Sequence, residues 1–436
     1  MNSTSKGKQN HELIKNIKNN NLLIVCKKIN ESLEKNEEVD ENIINMLFIN
    51  LLEENMMNEI IIIYNNIKKS NFIFNDKLKT ILIRIYSDIN IEKSIEILKN
   101  VKTIKRRMLI PILNSYSKKN DINIIKFYND NLYNKFIMKS DDFKAIIKVM
   151  LHTKNYDNFE MILNNMSDNK CKIDNEILDM LKLFFIKYNF KIIKYEEKCC
   201  NCNNILRLID INDNERNKLI SNLFENYIKK KNKKKLNNFR TYLSKNKKVD
   251  IFLDAGNILY FADRKINYNS YKRLNSIVNK LLLENKNILI VIHERHINYL
   301  DKNDIMSNNE KNLVKKYYEE WKKKKIIYFT PNKMNDDWFF LYGGFLVNKS
   351  KIVTNDKLKD HIFNISEKTL IENTLSKWME ISIITYEFKS NSFSLESLKL
   401  NYPKNYSERI QKVNNVWHLP LDDNKWFCQG NIKIKS

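Results

Sequence analysis

Asp250-Ile251-Phe252-Leu253-Asp254-Ala255-Gly256-Asn257 is the stretch on which the fold turns. A short apolar run closed by an aspartate and a Gly-Asn pair reads as a buried strand that ends in a turn. The pattern recurs downstream as far as Phe363. Val249 to Leu253, Ile288 to Ile292, Ile326 to Phe329 and Lys351 to Val353 read as buried strands. Tyr271 to Glu284, Glu310 to Trp321 and Asp337 to Leu346 read as the helices between them. Strands alternating with crossovers of this length predict a parallel sheet covered by helices on both faces, a Rossmann-like α/β unit.

In such a sheet the working crevice lies at the carboxyl ends of the strands, so acids placed there matter most. Asp254 ends the first strand, Asp336 and Asp337 follow the third at the start of a helix, and Asp356 follows the fourth in Val353-Thr354-Asn355-Asp356. Aspartate after a strand is also a common helix cap or turn former. As a set at one end of one sheet, the four carboxylates would repel one another unless cations lay between them. Ligands that are all oxygen favour Mg²⁺ or Mn²⁺ over zinc, the usual ions of phosphodiester chemistry.

Upstream, from about Asn10 to Tyr188, apolar residues fall at helical spacing with short polar breaks holding Asn and Asp. Ile112 to Asn129 lines up with Ile147 to Asn164 at an interval of 35 residues. Helix pairs recurring at that period bury their faces only by stacking, which predicts an α-helical repeat solenoid.

Six cysteines are present. Cys26 and Cys171 sit in helical apolar patterns and read as core. Cys199 and Cys202 form a C-x-x-C pair, a spacing that lets one tight turn present two thiolates, with Cys200 between them. His418 and Cys428 stand ten residues apart in the tail. Cys₃His is a closed, structural tetrahedral zinc site; a reduced cysteine-rich patch is the alternative.

The chain of 436 residues carries a formal net charge of +24, a field suited to a polyanion. Lys, Asn and Ile are abundant while glycines number 5 and prolines 4, a bias that A/T-rich coding would produce whatever the function. The lysine runs Lys229 to Lys235 and Lys322 to Lys325 read equally as solvated helix faces. No apolar stretch of about 18 residues suggests a membrane span. Neither a secretory signal nor a clear transit peptide is visible near Met1, which leaves nucleus, cytoplasm or an organelle open.

Asp254-Ala255-Gly256-Asn257, Ile290-Val291-Ile292-His293-Glu294-Arg295, Thr330-Pro331 with Asn335-Asp336-Asp337-Trp338, and Val353-Thr354-Asn355-Asp356 with Asp360-His361 resemble, in order, the motifs of the NYN/PIN-like metallonuclease domain of protein-only RNase P. The repeats resemble pentatricopeptide repeats, which bind RNA, although tetratricopeptide repeats bind protein at a nearly identical period. The family resemblance implies that Asp254, Asp336, Asp337 and Asp356 bind catalytic Mg²⁺ or Mn²⁺. It further implies that Cys199, Cys202, His418 and Cys428 bind a structural Zn²⁺ joining the segments that flank the nuclease. Asn257, Asn335 and Arg295 could orient a carboxylate, touch phosphate, or serve only turns and packing. The family's first motif usually reads Asp-Gly-Ala-Asn; here Ala255 precedes Gly256.

The resemblance implies an endonuclease that removes the 5′ leader of precursor tRNA, leaves a 5′ phosphate and needs no RNA subunit; the lack of a long apolar stretch adds the expectation of no membrane partner. A monomer is expected. The rivals are a related endoribonuclease acting on other RNAs and a non-catalytic repeat-based RNA-binding protein. The expected architecture is multidomain, α and α/β. Residues 1–190 form an RNA-binding solenoid, 191–248 with 380–436 a small split zinc-binding central domain, and 249–379 the α/β metallonuclease domain.

Overall fold

The computed structural model describes residues 3–35, 37, 39–69, 74–185, 192–194, 198–227, 230–246, 248–261, 265–298, 300–332, 334–358, 369–390, 392–421 and 425–430. Asp360 and His361 lie outside the described residues.

The N-terminal arm is helical: α1 (Ser3–Lys18), α2 (Leu22–Glu34), α3 (Glu41–Glu53), α4 (Met57–Lys69), α5 (Asp76–Ile89), α6 (Ile91–Lys99), α7 (Arg106–Lys118), α8 (Asn123–Asn131), α9 (Ser140–His152), α10 (Phe159–Asp168) and α11 (Asn175–Lys182). The polar breaks start helices, since Asp40, Asn75, Asn90 and Asp174 accept hydrogen bonds from backbone N–H groups of the first turns. They also stop them. Asn20, Asn55, Asn120, Lys154 and Lys170 take positive φ, and the N–H that follows each reaches back to a carbonyl of the last turn, as Asp121 does to Tyr116 at 2.9 Å. Glycine would be the default there, yet among the described residues no glycine has positive φ. In a chain with 5 glycines, asparagine supplies most of these stops.

Odd-numbered helices stack on one another along the arm, from α1 on α3 through to α9 on α11, as a solenoid requires. Bonds between repeats span 36 and 37 residues: the Asn66 amide donates to Asn30 Oδ1 at 3.0 Å and the Tyr128 hydroxyl to Asn165 Oδ1 at 2.6 Å. Helices α7 and α9 begin 34 residues apart, at Arg106 and Ser140, and α8 and α10 begin 36 apart, at Asn123 and Phe159, so the 35-residue interval read from sequence falls between the two.

The α/β unit holds β2 (Ile251–Asp254), β3 (Ile288–His293), β4 (Ile327–Thr330), β5 (Lys351–Val353), β6 (Ile383–Phe388) and β7 (Leu398–Asn401), in sheet order β4-β3-β2-β5-β6-β7. All neighbours are parallel except β6 and β7. Side chains alternate between two cores. Ile251 and Leu253 join α14 (Ala255–Tyr260), α15 (Tyr268–Leu283) and α17 (Asn308–Lys323). Phe252 joins α12 (Asp213–Asn222), α13 (Lys230–Lys245), α18 (Asp337–Leu346) and α19 (Thr369–Ser382). A Cβ on Gly343 would stand 2.7 Å from the Phe252 ring, so glycine is what lets α18 lie this close to the sheet.

The boundaries therefore differ from those expected. Helices α12 and α13 and strands β6 and β7, assigned by sequence to the central unit, build the α/β unit instead. A parallel sheet needs both faces covered, and the segment from 249 to 379 supplies too few helices for the second face. The tail changes partners only after β7.

The central unit is a sheet of β1 (Ile192–Lys194), β8 (Gln411–Val413), β9 (Val416–Pro420) and β10 (Lys425–Gly430), in order β1-β10-β9-β8. Its Trp417, Leu419 and Phe427 are buried in the arm's core, with the Phe427 and Phe185 rings 5.7 Å apart. No helix among the described residues is long and apolar enough to cross a membrane.

Candidate active site and metal centre

Asp254 closes β2 and is 1% exposed. Its Oδ1 accepts from the Asn257 N–H at 3.0 Å and its Oδ2 from the Thr354 hydroxyl at 2.7 Å. The same Thr354 oxygen accepts from the Asp356 N–H at 3.0 Å, so one buried threonine ties the ends of β2 and β5. Asp336, at the N-cap of α18, is 7% exposed, and its Oδ2 is buried without a hydrogen-bond partner among the described residues. Both carboxylates converge over Gly256, where a Cβ would stand 3.0 Å from Asp336 Oδ2 and 3.6 Å from Asp254 Oδ1. The glycine that departs from the family's usual order thus lies in the site and keeps it open.

Half-buried Asp337 is held by Asn335, whose amide donates to its Oδ2 at 2.8 Å. Burial first, then the Asp337 and Asp336 charges, push the Asp254 carboxyl up to about 8. Burial and Asp337 push Asp336 up to about 6, while Arg295 pulls it down. Three of the four expected carboxylates therefore share one electrostatic environment. Asp356 differs in burial: it is exposed, and its Oδ1 accepts from the Leu358 N–H at 2.9 Å.

Of the residues whose roles sequence left open, Asn335 orients a carboxylate. Asn257 braces loops: its Oδ1 accepts from the Asn355 N–H at 2.9 Å and the Tyr386 hydroxyl at 3.1 Å. Arg295 follows β3 on the short helix α16 (Arg295–Asn298). Thr354 was missed as a site residue, although it lies within a quoted motif; a hydroxyl two residues before Asp356 was the available signal.

Cys199, Cys202, His418 and Cys428 come together so that one ligand atom from each lies within 4.8 Å of all the others. Strand pairing sets half of this, because Cys428 and His418 are cross-strand partners in β10 and β9. The C-x-x-C turn is pinned to that sheet by the Asn204 amide on the Val413 carbonyl at 3.0 Å and the Asn201 amide on the Cys428 carbonyl at 3.4 Å. Positive φ at Asn203 and its N–H on the Cys199 carbonyl at 2.7 Å close the turn. His418 Nε2 lies 3.3 Å from Cys202 Sγ. Burial lowers the His418 pKa, keeping the imidazole in its neutral, ligating form. Cys199, Cys202 and Cys428 are free thiols, and Cys200 points outward. Cys26 is buried, as expected, whereas Cys171 is half-buried.

A solenoid arm, a Cys/His-knotted sheet and a parallel sheet with aspartates at its strand ends define a repeat-armed protein of the metallonuclease fold class. The family described as "Protein-only RNase P" matches residues 193–433, more than half of the chain, and the chain belongs to that family. Proteinaceous RNase P 2 of Arabidopsis thaliana is 29% identical over 246 residues, covering 54% of this chain and 42% of that protein. Proteinaceous RNase P 1, chloroplastic/mitochondrial, of the same plant is 24% identical over 347 residues, covering 68% and 57%. These alignments leave more than two fifths of each relative unmatched. The crystal structure of A. thaliana nuclear proteinaceous RNase P 2 superimposes with a TM-score of 0.65 at 20% identity, covering 97% of this chain and 98% of that one. The fold is therefore shared along nearly the whole chain.

Proposed function

We propose that this chain is a ribonuclease P, a divalent-metal-dependent endoribonuclease that removes the 5′ leader from precursor tRNA without an RNA subunit. The observation that carries this reading is the pair of buried carboxylates, Asp254 and Asp336, facing each other across Gly256 in a chain of this family. Two buried acids with raised pKa values, one of them with an Oδ2 that meets no donor among the described residues, suit a cation more than a fold-stabilising role.

Asp254, Asp336 and Asp337 would hold Mg²⁺ or Mn²⁺, with Asp356 contributing at the open edge of the site. Such an ion would supply Lewis acidity and would lower the pKa of a bound water so that it ionises near neutral pH. The protein's own groups set the geometry. Thr354 and the Asn257 N–H fix the Asp254 carboxylate, and Asn335 fixes Asp337. Arg295, close enough to Asp336 to lower its pKa, would meet the non-bridging phosphate oxygens. Water adds to phosphorus and the bond to the leader's 3′ oxygen breaks, leaving a 5′ phosphate on the tRNA and a 3′ hydroxyl on the leader.

Cys199, Cys202, His418 and Cys428 would hold Zn²⁺. Four protein donors, three of them fully buried, leave no position for substrate, so this metal would be structural. The arm, at residues 1–190, would gauge the folded body of the tRNA through its backbone and unpaired bases as pentatricopeptide-like repeats do, at a set distance from the carboxylates.

The deciding experiment is cleavage of a leader-bearing precursor tRNA by the full chain with Mg²⁺, read at nucleotide resolution. A single cut at the mature 5′ end, lost with EDTA, is expected. Cutting of assorted RNAs without that preference would point to another endoribonuclease, and binding without cutting to a non-catalytic RNA-binding protein.

A further inference from the structure

All four donors of the Cys/His cluster come from the central sheet and the turn packed on it, so that cluster fixes the central unit itself. The joint between the arm and the α/β unit is made elsewhere. Arg409, in the segment between β7 and β8, is 2% exposed. Its Nε donates to Glu380 Oε2 at 2.9 Å and its Nη2 to Ser376 Oγ at 2.9 Å, both on α19 of the α/β unit. Its Nη1 donates to the carbonyls of Ser167 at 2.9 Å and Asp168 at 3.0 Å. Those carbonyls end α10 of the arm, where a helix leaves acceptors unpaired and partly negative.

Further bonds cross the same seam. Lys170 Nζ lies 3.1 Å from Glu380 Oε2, Lys377 Nζ lies 2.8 Å from Asp168 Oδ1, and Ser167 Oγ donates to the Ile410 carbonyl at 2.5 Å. Burial by itself would raise the Glu380 pKa, but the Arg409 and Lys170 cations more than offset it and hold the carboxyl below its usual range. The seam forms one wall of a cleft of about 570 Å³ lined by Asn169 and Lys170 of the arm and by Asp356, Glu372, Ser376 and Glu380 of the α/β unit. The expected carboxylate at the open edge of the active site therefore shares a cavity with the joint.

We propose that Arg409 is a positioning residue: with Glu380 it fixes the angle between the arm and the carboxylate site, and with it the point at which arm-held RNA meets the carboxylates. The proposal rests on the ribonuclease P reading above. Apolar contact, such as Phe185 on Phe427, is non-directional and tolerates sliding. A planar guanidinium with donors committed to both units does not, and lysine cannot reproduce its fork.

The test uses the full zinc-loaded chain. Arg409→Ala would leave Glu380 buried without its main partner and invites misfolding, so the informative variant is the neutral pair Arg409→Met, Glu380→Gln, beside Arg409→Lys. Two readouts are needed: the distance distribution between click-reactive residues introduced at positions 118 and 283, and cleavage of two RNAs. One RNA is a complete precursor tRNA; the other is a leader-bearing acceptor-stem minihelix that lacks the elbow. The paired variant should broaden the distance distribution and lower kcat/KM on precursor tRNA about tenfold. It should also shift part of the cutting to neighbouring phosphates while cutting the minihelix at the wild-type rate. Arg409→Lys should fall between. An unchanged distance distribution together with an unchanged cut position would overturn the proposal. If the wild type cuts neither RNA, the ribonuclease P reading fails, and the distance measurement still decides whether Arg409 sets the angle.

Discussion

The two candidate metal sites are assembled in opposite ways. The sulfur and nitrogen donors lie within 4.8 Å of one another, drawn from segments more than two hundred residues apart by strand register and a pinned turn. Sulfur donors and a neutral imidazole can be gathered like that without a metal more readily than carboxylates; burial and the neighbouring Cys199 and Cys202 push the Cys428 thiol up. The carboxylates are arranged more loosely, from buried Asp254 and Asp336 through half-buried Asp337 to exposed Asp356. Charged oxygens gathered as tightly would have to protonate. A closed site serves the fold, and a site with an open edge leaves room for a phosphate and water.

The largest expected effect breaks the closed site. Cys428→Ser, or removal of zinc by a strong chelator, should destabilise the protein by on the order of 5 kcal/mol and lower Tm, with metal content measured in parallel. Unchanged melting after verified zinc loss would remove the structural role. The open site should respond in the reverse sense. Asp336→Ala with Asp337→Ala should lower cleavage by roughly 10³-fold or more while Tm stays at or above the wild-type value. Retained cleavage would move the chemistry away from these aspartates.

Sequence made some of this legible and hid the rest for physical reasons. The strand ends could be read because a parallel strand buried on both faces is a bare apolar run and its closing polar residue stands out, as Asp254 does after Leu253. The C-x-x-C pair and the distant His418 and Cys428 could be grouped by residue chemistry. Helices α12 and α13 were misplaced because an amphipathic helix advertises one apolar face and not which sheet that face meets. Strands β6 and β7 were misplaced because an edge hairpin alternates in burial like any β segment in the tail. Arg409 gave no signal at all, since its partners include the main-chain carbonyls of Ser167 and Asp168, which no side-chain pattern encodes.

A smaller effect concerns the arm. If its positive charge meets tRNA phosphates, binding should weaken as salt rises, and even two neutralised phosphates imply a loss of about tenfold between 50 and 200 mM salt. Truncation to the α/β unit should flatten that slope; an unchanged slope would place the phosphate contacts outside the arm.

The smallest effect sharpens the contrast between the sites through proton linkage. The Asp254 carboxyl stands at about 8 in the folded, metal-free protein against an ordinary value of 3.8. Between those values the folded state binds the extra proton, so folding stability falls as pH rises across that window. Replacing the carboxylate by an amide that can still accept from Thr354 removes the buried charge. Asp254→Asn should therefore stabilise the metal-free protein at pH 7.5 by about 1 kcal/mol, with a flatter dependence of Tm on pH between 5 and 8. Saturating Mg²⁺ should erase most of that difference by stabilising the wild type alone. A variant curve parallel to the wild type's, with or without Mg²⁺, would assign the slope to other groups and undo the claim that the open site carries electrostatic strain that the closed site lacks.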